Sequence, residues 1–346
     1  MGITNQEYFF LFLASFIFVG FLTPLMRKIA IARDVVDRPN SPHKSHKKSV
    51  PYLGGVAIII GIVSITYASS LISDFTQNTF WLATSVLGPA VILGLVGLID
   101  DIRNLSPWPR FIAQSIIGGF TAILLVTTNN LITFTSVLII DISITIFWVV
   151  GICNAINFFD NFDGGAASTI AISSAAIVYL AINSRQFFIA ALSVVILGSI
   201  LGFLIWNKNP AKIYMGDAGS LFLGVLMAVT IIRLKTNGDS SLNSILTPFF
   251  LMALPILDTS VAVFSRLNQG KSPFVGGRDH ISHRLLNFGF SRRRVIFIIV
   301  FLTSAFATIA ILLNVSNQHI MLLDTLGIVL WLILFFCFLK IETVNI

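Results

Sequence analysis

Glutamate is almost missing from this chain. It occurs only as Glu7 and Glu342, so acidic chemistry must come from aspartate. Charged residues of both signs make up 11%, where a soluble globular chain carries roughly a quarter. That shortage excludes a domain with an ordinary solvated surface. Cysteine occurs twice, as Cys153 and Cys337, both inside apolar segments, which excludes a disulfide framework. No basic stretch precedes the first apolar run, so the N-terminus reads as a membrane span rather than a cleaved signal peptide.

What is present is apolar sequence, 56% of the 346 residues. A bilayer crossing takes about 20 apolar helical residues. Eleven runs have that character, at about 7–26, 51–73, 80–99, 111–128, 136–156, 164–183, 186–206, 218–234, 244–265, 295–315 and 320–340. They predict an all-α, polytopic membrane protein of eleven spans in a single domain, without a long linker or low-complexity tract. Nineteen of the 22 Lys and Arg fall in alternate gaps and at the C-terminus, leaving Arg185, Arg233 and Lys235 on the other side. The positive-inside rule then places the N-terminus outside and the C-terminus in the cytoplasm. The +7 formal charge tracks the spans and predicts no nucleic-acid partner.

The same parity puts every polar cluster on the cytoplasmic face, in the gaps 27–50, 100–110, 154–165, 206–220 and 266–294. The central one reads Asn154-Ala-Ile-Asn-Phe-Phe-Asp-Asn-Phe-Asp-Gly-Gly165. Asn154, Asn157, Asp160 and Asp163 recur every third residue, which on a helix keeps consecutive pairs adjacent and winds the set round a cavity. Carboxylates at membrane depth are expensive and mark function. Adjacent Asp100 and Asp101 need either a cationic partner, for which Arg103 is placed, or a metal such as Mg²⁺ that also binds phosphates. Gly216-Asp-Ala-Gly-Ser220 opens a span, and a glycine-rich helix start suits an anion, although Asp217 suits a plain cap as well. His280 and His283, with Arg278 and Arg284, suit a diphosphate better than zinc, since no third Cys or His is near. Arg292, Arg293 and Arg294 read as topology determinants. Cations of the first gap suit anionic headgroups or a phosphorylated substrate. A transporter would carry its site near the bilayer midplane. Clusters at one interface favour an enzyme acting on a lipid headgroup.

Taken together, Asp37-Arg-Pro-Asn40, Pro51…Gly54-Gly55, Asp100-Asp101, Asn154…Asp163-Gly164, Asn207…Tyr214-Met-Gly-Asp-Ala-Gly-Ser220, Asp258-Thr259 and His280…Arg284 resemble the bacterial polyprenyl-phosphate N-acetylhexosamine-1-phosphate transferases of glycosyl transferase family 4. The resemblance implies transfer of a sugar 1-phosphate, most often N-acetylglucosamine 1-phosphate, from a UDP-sugar to undecaprenyl phosphate with release of UMP. Relatives that use another UDP-N-acetylhexosamine or phospho-N-acetylmuramoyl-pentapeptide are the alternatives. It implies Asp217 and Asn157 as contacts of Mg²⁺, which Mn²⁺ can replace, and Asp100 and Asp101 as catalytic carboxylates near the lipid phosphate. It places Asp160, Asp163, Asn207, His46, Lys48, His280, His283 and Arg284 at the substrate, with Tyr214 stacked on uracil. It also implies residence in the bacterial cytoplasmic membrane and leaves an oligomer open. Three departures stand out, the first being an extra residue between Asn40 and His46. The usual Asp-Gly-x-Asp-Gly-Leu is Asp160-Asn-Phe-Asp-Gly-Gly165 here, and the usual His-x-His-His-Arg is His280-Ile-Ser-His-Arg284.

Overall fold

Each apolar run folds as helix, because only a helix satisfies its own backbone hydrogen bonds where water is absent. The computed structural model describes residues 3–37, 49–72, 77–103, 105–127, 135, 137–235, 241–273, 277–315 and 320–342. His46 and Lys48 lie outside them. The helices are α1 (Asn5–Ala32), α2 (Gly54–Ile72), α3 (Gln77–Arg103), α4 (Pro107–Thr127), α5 (Leu138–Phe159), α6 (Gly165–Asn183), α7 (Phe187–Asn207), α8 (Gly216–Ile232), α9 (Ser241–Leu251), α10 (Ala253–Asn268), α11 (Ile281–Asn287), α12 (Arg292–Val315) and α13 (Ile320–Lys340). Between α1 and α2, β1 (Val36–Asp37) pairs antiparallel with β2 (Val50–Pro51). One of the two glutamates has a purely local job. Glu7 and Thr4 form a reciprocal capping box at the start of α1.

The bundle is organised around α8. All but one of its 17 residues are buried, and it packs against α2, α3 and α5. At the outside, α1 and α13 expose large apolar side chains such as Phe9, Phe21, Met321 and Phe336. That inversion of the soluble pattern is what a lipid-facing surface requires. Where α2 crosses α8, a Cβ on Gly55 would lie 2.1 Å from the backbone nitrogen of Gly219. The sequence left Gly54-Gly55 open to a helix or a ligand. The structure fills the space with a helix, and Gly54 and Gly55 donate to the carbonyls of Tyr214 and Met215.

Nine described helices are long and apolar enough to cross a membrane. At 17 residues α8 is at the lower end of the crossing range, about 17–25. The expected straight span 244–265 is corrected, because α9 and α10 meet at a 76° bend at Met252. Pro255 has no N–H, so the carbonyl of Leu251 loses its helical donor. The Ser173 hydroxyl on α6 donates to that carbonyl instead, at 2.7 Å. A second correction concerns the central motif. The helix ends at Phe159 with Asp160 as its C-cap, so the three-residue phase stops there and Asp163 lies on the following turn.

Candidate active site

At one end of the bundle, a cavity of about 460 Å³ gathers residues from β1, the segment before α2, and the ends of α3, α4, α5, α7, α8, α11 and α12. Among the described residues, six aspartates line it (37, 100, 101, 160, 163 and 217), against two arginines, Arg110 and Arg292.

The C-terminus of α3 delivers Asp100 and Asp101 to different tasks. Asp101 accepts the N–H groups of Asp217 at 2.8 Å and Ala218 at 3.0 Å, so it caps α8 from another helix. Gly216 makes room for this. It has φ +67°, and a Cβ there would sit 2.5 Å from an Asp101 oxygen. The start of α8 was expected to hold an external anion, and its anion seat is filled by Asp101 itself. Asp100 accepts from the Leu105 N–H and from Arg110 Nη1. The same Nη1 reaches Asp217 Oδ2 at 2.8 Å. Arg110, not the exposed Arg103, is therefore the cationic partner.

Asn157 turns its amide nitrogen, not its oxygen, to Asp217 Oδ1 at 2.6 Å, and also donates to the Ser220 hydroxyl. As it stands it orients Asp217 rather than offering a metal ligand. Among the described residues no group of three or more His, Cys, Asp or Glu is placed to hold a metal ion. The donor set nevertheless fits Mg²⁺. Asp100 and Asp217 each point one oxygen at a single cationic nitrogen, and Mg²⁺ is commonly held by one or two carboxylates plus substrate phosphates and water.

On the turn after α5, the Asp163 carboxylate accepts from Asn209 Nδ2 at 2.7 Å and from the Ala211 N–H at 3.1 Å. Burial, with Asp217, Asp101 and Asp163 nearby, pushes the Asp160 carboxyl well above the usual carboxylate range. Asn207 is used between loops, accepting from the Gly164 N–H and donating to the Ile213 carbonyl. It lines the cavity, but its amide is engaged in holding the α5–α6 turn against the segment before α8. Asn154 points elsewhere, to Gln114 on α4 and the Val150 carbonyl. Tyr214 and Tyr52 both line the cavity, their rings 6.3 Å apart, and burial raises both hydroxyl pKa values.

The histidine segment divides in the same way. His280 Nδ1 meets fully buried Asp258 at 2.7 Å, and Nε2 faces an Arg266 nitrogen at 3.3 Å. Arg266 in turn holds Asp279 through two hydrogen bonds; burial pushes that carboxyl up, but these bonds and the charges of Arg266 and His280 together keep it below the usual range. His280 lines the cavity, but both ring nitrogens are committed to this scaffold. His283 also lines the cavity, and its buried Nδ1 has no hydrogen-bond partner among the described residues. Burial and the neighbouring His280 push its pKa down to about 4. Arg284 requires a correction. It is 2% exposed, is absent from the cavity wall, and donates to the carbonyls of Asp279, Phe338, Leu339 and Ile341. It closes the C-terminus of α13 rather than clamping a diphosphate.

Several cavity residues were not expected as site residues, among them Asp37, Tyr52, Arg110, Asn161 and Arg292. Arg110 and Asn161 stand inside recognised segments, and Tyr52 lies beside Pro51. Arg292 was dismissed as a topology determinant, yet it lies in the cavity with its guanidinium 5.9 Å from the Phe162 ring.

The model of glycosyl transferase family 4 matches residues 83–235. A Bacillus subtilis protein named "Probable undecaprenyl-phosphate N-acetylglucosaminyl 1-phosphate transferase" is 34% identical over 339 residues, covering 95% of this chain and 88% of that protein. The decaprenyl-phosphate N-acetylglucosaminephosphotransferase of Mycobacterium tuberculosis is 32% identical, covering 86% and 80%. A phospho-N-acetylmuramoyl-pentapeptide-transferase of Geobacillus kaustophilus is 31% identical over 65% of this chain and 73% of its own length. The first two of these relatives match 95% and 86% of the chain and leave no ground for a transporter. The chain belongs to glycosyl transferase family 4.

Proposed function

We propose that this protein transfers N-acetylglucosamine 1-phosphate from UDP-N-acetylglucosamine to a polyprenyl phosphate of the undecaprenyl type, releasing UMP. The observation that carries the reading is the convergence of aspartates from β1, α3, the α5–α6 turn and α8 on one cavity, in a chain similar over most of its length to transferases named for this chemistry.

Phosphoryl transfer asks for positioning and charge neutralisation more than covalent chemistry. An oxygen of the acceptor phosphate attacks the donor's β-phosphorus, and the bond to the bridging oxygen breaks, with UMP leaving on that electron pair. Asp217 and Asp100 would be the residues to hold Mg²⁺ or Mn²⁺. When bound, such an ion would neutralise the diphosphate and the charge developing on the leaving UMP. Asn157 keeps Asp217 turned toward the cavity. Asp101 holds the start of α8 in place, and both its oxygens are occupied by N–H groups. A covalent intermediate on Asp101 would have to break both bonds, so direct displacement is the mechanism we favour. The acceptor phosphate is already an anion above its second pKa near 6, so it needs orientation more than a base. Arg292 supplies a guanidinium for phosphate oxygens. Neutral His283 offers a hydrogen-bonding ring nitrogen to the donor.

The site is proposed to face the cytoplasm of a bacterial inner membrane, with eleven crossings when α8 and the bent α9–α10 pair are each counted. The 19 basic residues on that side support this orientation. The test is thin-layer analysis of lipid products from membranes given a panel of labelled UDP-sugars. Label entering a lipid from UDP-N-acetylglucosamine with Mg²⁺ present supports the reading, and a lipid labelled only by another sugar replaces it.

A further inference from the structure

Two of the three positions at which this chain departs from the usual aspartate and histidine motifs, the third being Gly165, touch each other. Asn161 stands where the first motif has glycine, and Ser282 stands where the second has histidine. They are 121 residues apart, and the Ser282 hydroxyl donates to Asn161 Oδ1. The other end of the Asn161 amide donates to the Phe158 carbonyl at 2.7 Å, closing the last turn of α5. Ser282 is 2% exposed, so the bond is shielded from water.

Among the described residues, three anchors fix α11. Asp258 takes the Ile281 N–H and His280, Arg284 ties it to the end of α13, and Ser282 ties it to Asn161. Of these, the Asn161 anchor joins α11 to the acidic turn of Asp160 and Asp163. His283, one residue after Ser282, is the cavity histidine whose buried Nδ1 lacks a partner among the described residues. Where the usual motifs have a glycine and a histidine, this chain has an amide and a hydroxyl that satisfy each other.

We infer that Asn161 and Ser282 form a positioning pair that sets the gap between His283 and the Asp160–Asp163 turn, and through it the sugar that the donor carries. This rests on the proposed phosphotransfer from a UDP-sugar. The pair acts through His283 and the turn and does not enter the chemistry.

The test is steady-state kinetics of purified full-length protein with UDP-N-acetylglucosamine and its 4-epimer, alongside UMP-dependent exchange of label out of the lipid product. Ser282→Ala and Asn161→Ala are each expected to raise the donor KM about tenfold with kcat within threefold, and the double variant to add little more. Ser282→Thr, which keeps the hydroxyl, should stay within threefold of the parent. Asn161→Gly combined with Ser282→His is expected to change the kcat/KM ratio of the two donors by at least tenfold. An unchanged ratio, or independent effects of the two alanines, overturns the pair while exchange persists. Absence of exchange in the parent overturns the phosphotransfer reading and this inference with it.

Discussion

The Asp101 carboxylate accepts the backbone N–H of Asp217 at 2.8 Å, so one aspartate of the site is the cap of the helix that carries another. Asp101→Ala removes both cap bonds and is expected to cost about 1–2 kcal/mol of stability. The thermal midpoint in detergent should fall, whereas Asp101→Asn, which keeps one acceptor oxygen, should recover part of the loss. An unchanged midpoint for Asp101→Ala would refute the cap.

Asp217 carries the charge the proposed mechanism needs. Asp217→Asn retains an acceptor for Asn157 and should fold with a midpoint near the parent's. Loss of a metal ligand worth roughly 4 kcal/mol would slow turnover about a thousandfold. Activity within tenfold of the parent, at equal expression and saturating Mg²⁺, rules Asp217 out as the ligand.

Arg110 bridges Asp100 and Asp217 through one nitrogen. Arg110→Gln leaves these carboxylates without that cation, so substrate-free protein should bind Mn²⁺ more tightly, by about tenfold. Electron paramagnetic resonance of free Mn²⁺ in titrations measures this. Equal or weaker binding would place the cation elsewhere.

Arg284 separates a scaffold role from a substrate role. Arg284→Met loses several buried, charge-assisted bonds and is expected to destabilise by about 3 kcal/mol. Whatever protein remains folded should keep its donor KM within twofold. A tenfold rise in KM at an unchanged midpoint would restore Arg284 to the substrate.

His283 gives a pH signature. Its folded pKa of about 4 lies below the unfolded value of roughly 6.5, so the folded protein binds that proton more weakly. Its contribution to stability is complete above about pH 6.5 and is lost as pH falls toward 4. The thermal midpoint should decline across that window, and His283→Gln should flatten the decline. An equally steep decline in the variant would contradict a buried, neutral His283.

Much of this was legible in sequence because lipid imposes one rule on every span. Runs of about 20 apolar residues must be helix, and ten of the eleven expected runs proved to be continuous helices. The bend at Met252 was missed because membrane helices tolerate proline wherever a neighbouring hydroxyl can bond the freed carbonyl, and Ser173 is far from Leu251 in the chain. The site aspartates were legible as types and positions, but their tasks were not. Asp100 and Asp101 are neighbours in sequence, and only packing shows that one faces Arg110 while the other caps α8. Arg103, three residues after Asp100, looked like the partner by helical spacing, yet Arg110 reaches back from the next helix. Arg284 follows the histidines in sequence, but α11 turns it away toward α13.

The central claim is that the phosphorus next to the sugar travels with it. The measurement is the fate of UDP-N-acetylglucosamine labelled in the β-phosphate, incubated with protein and undecaprenyl phosphate. The account predicts label in the lipid product and one UMP released per lipid formed. Label left in soluble UDP, with an unlabelled phosphosugar lipid, would show transfer of the sugar alone and contradict it.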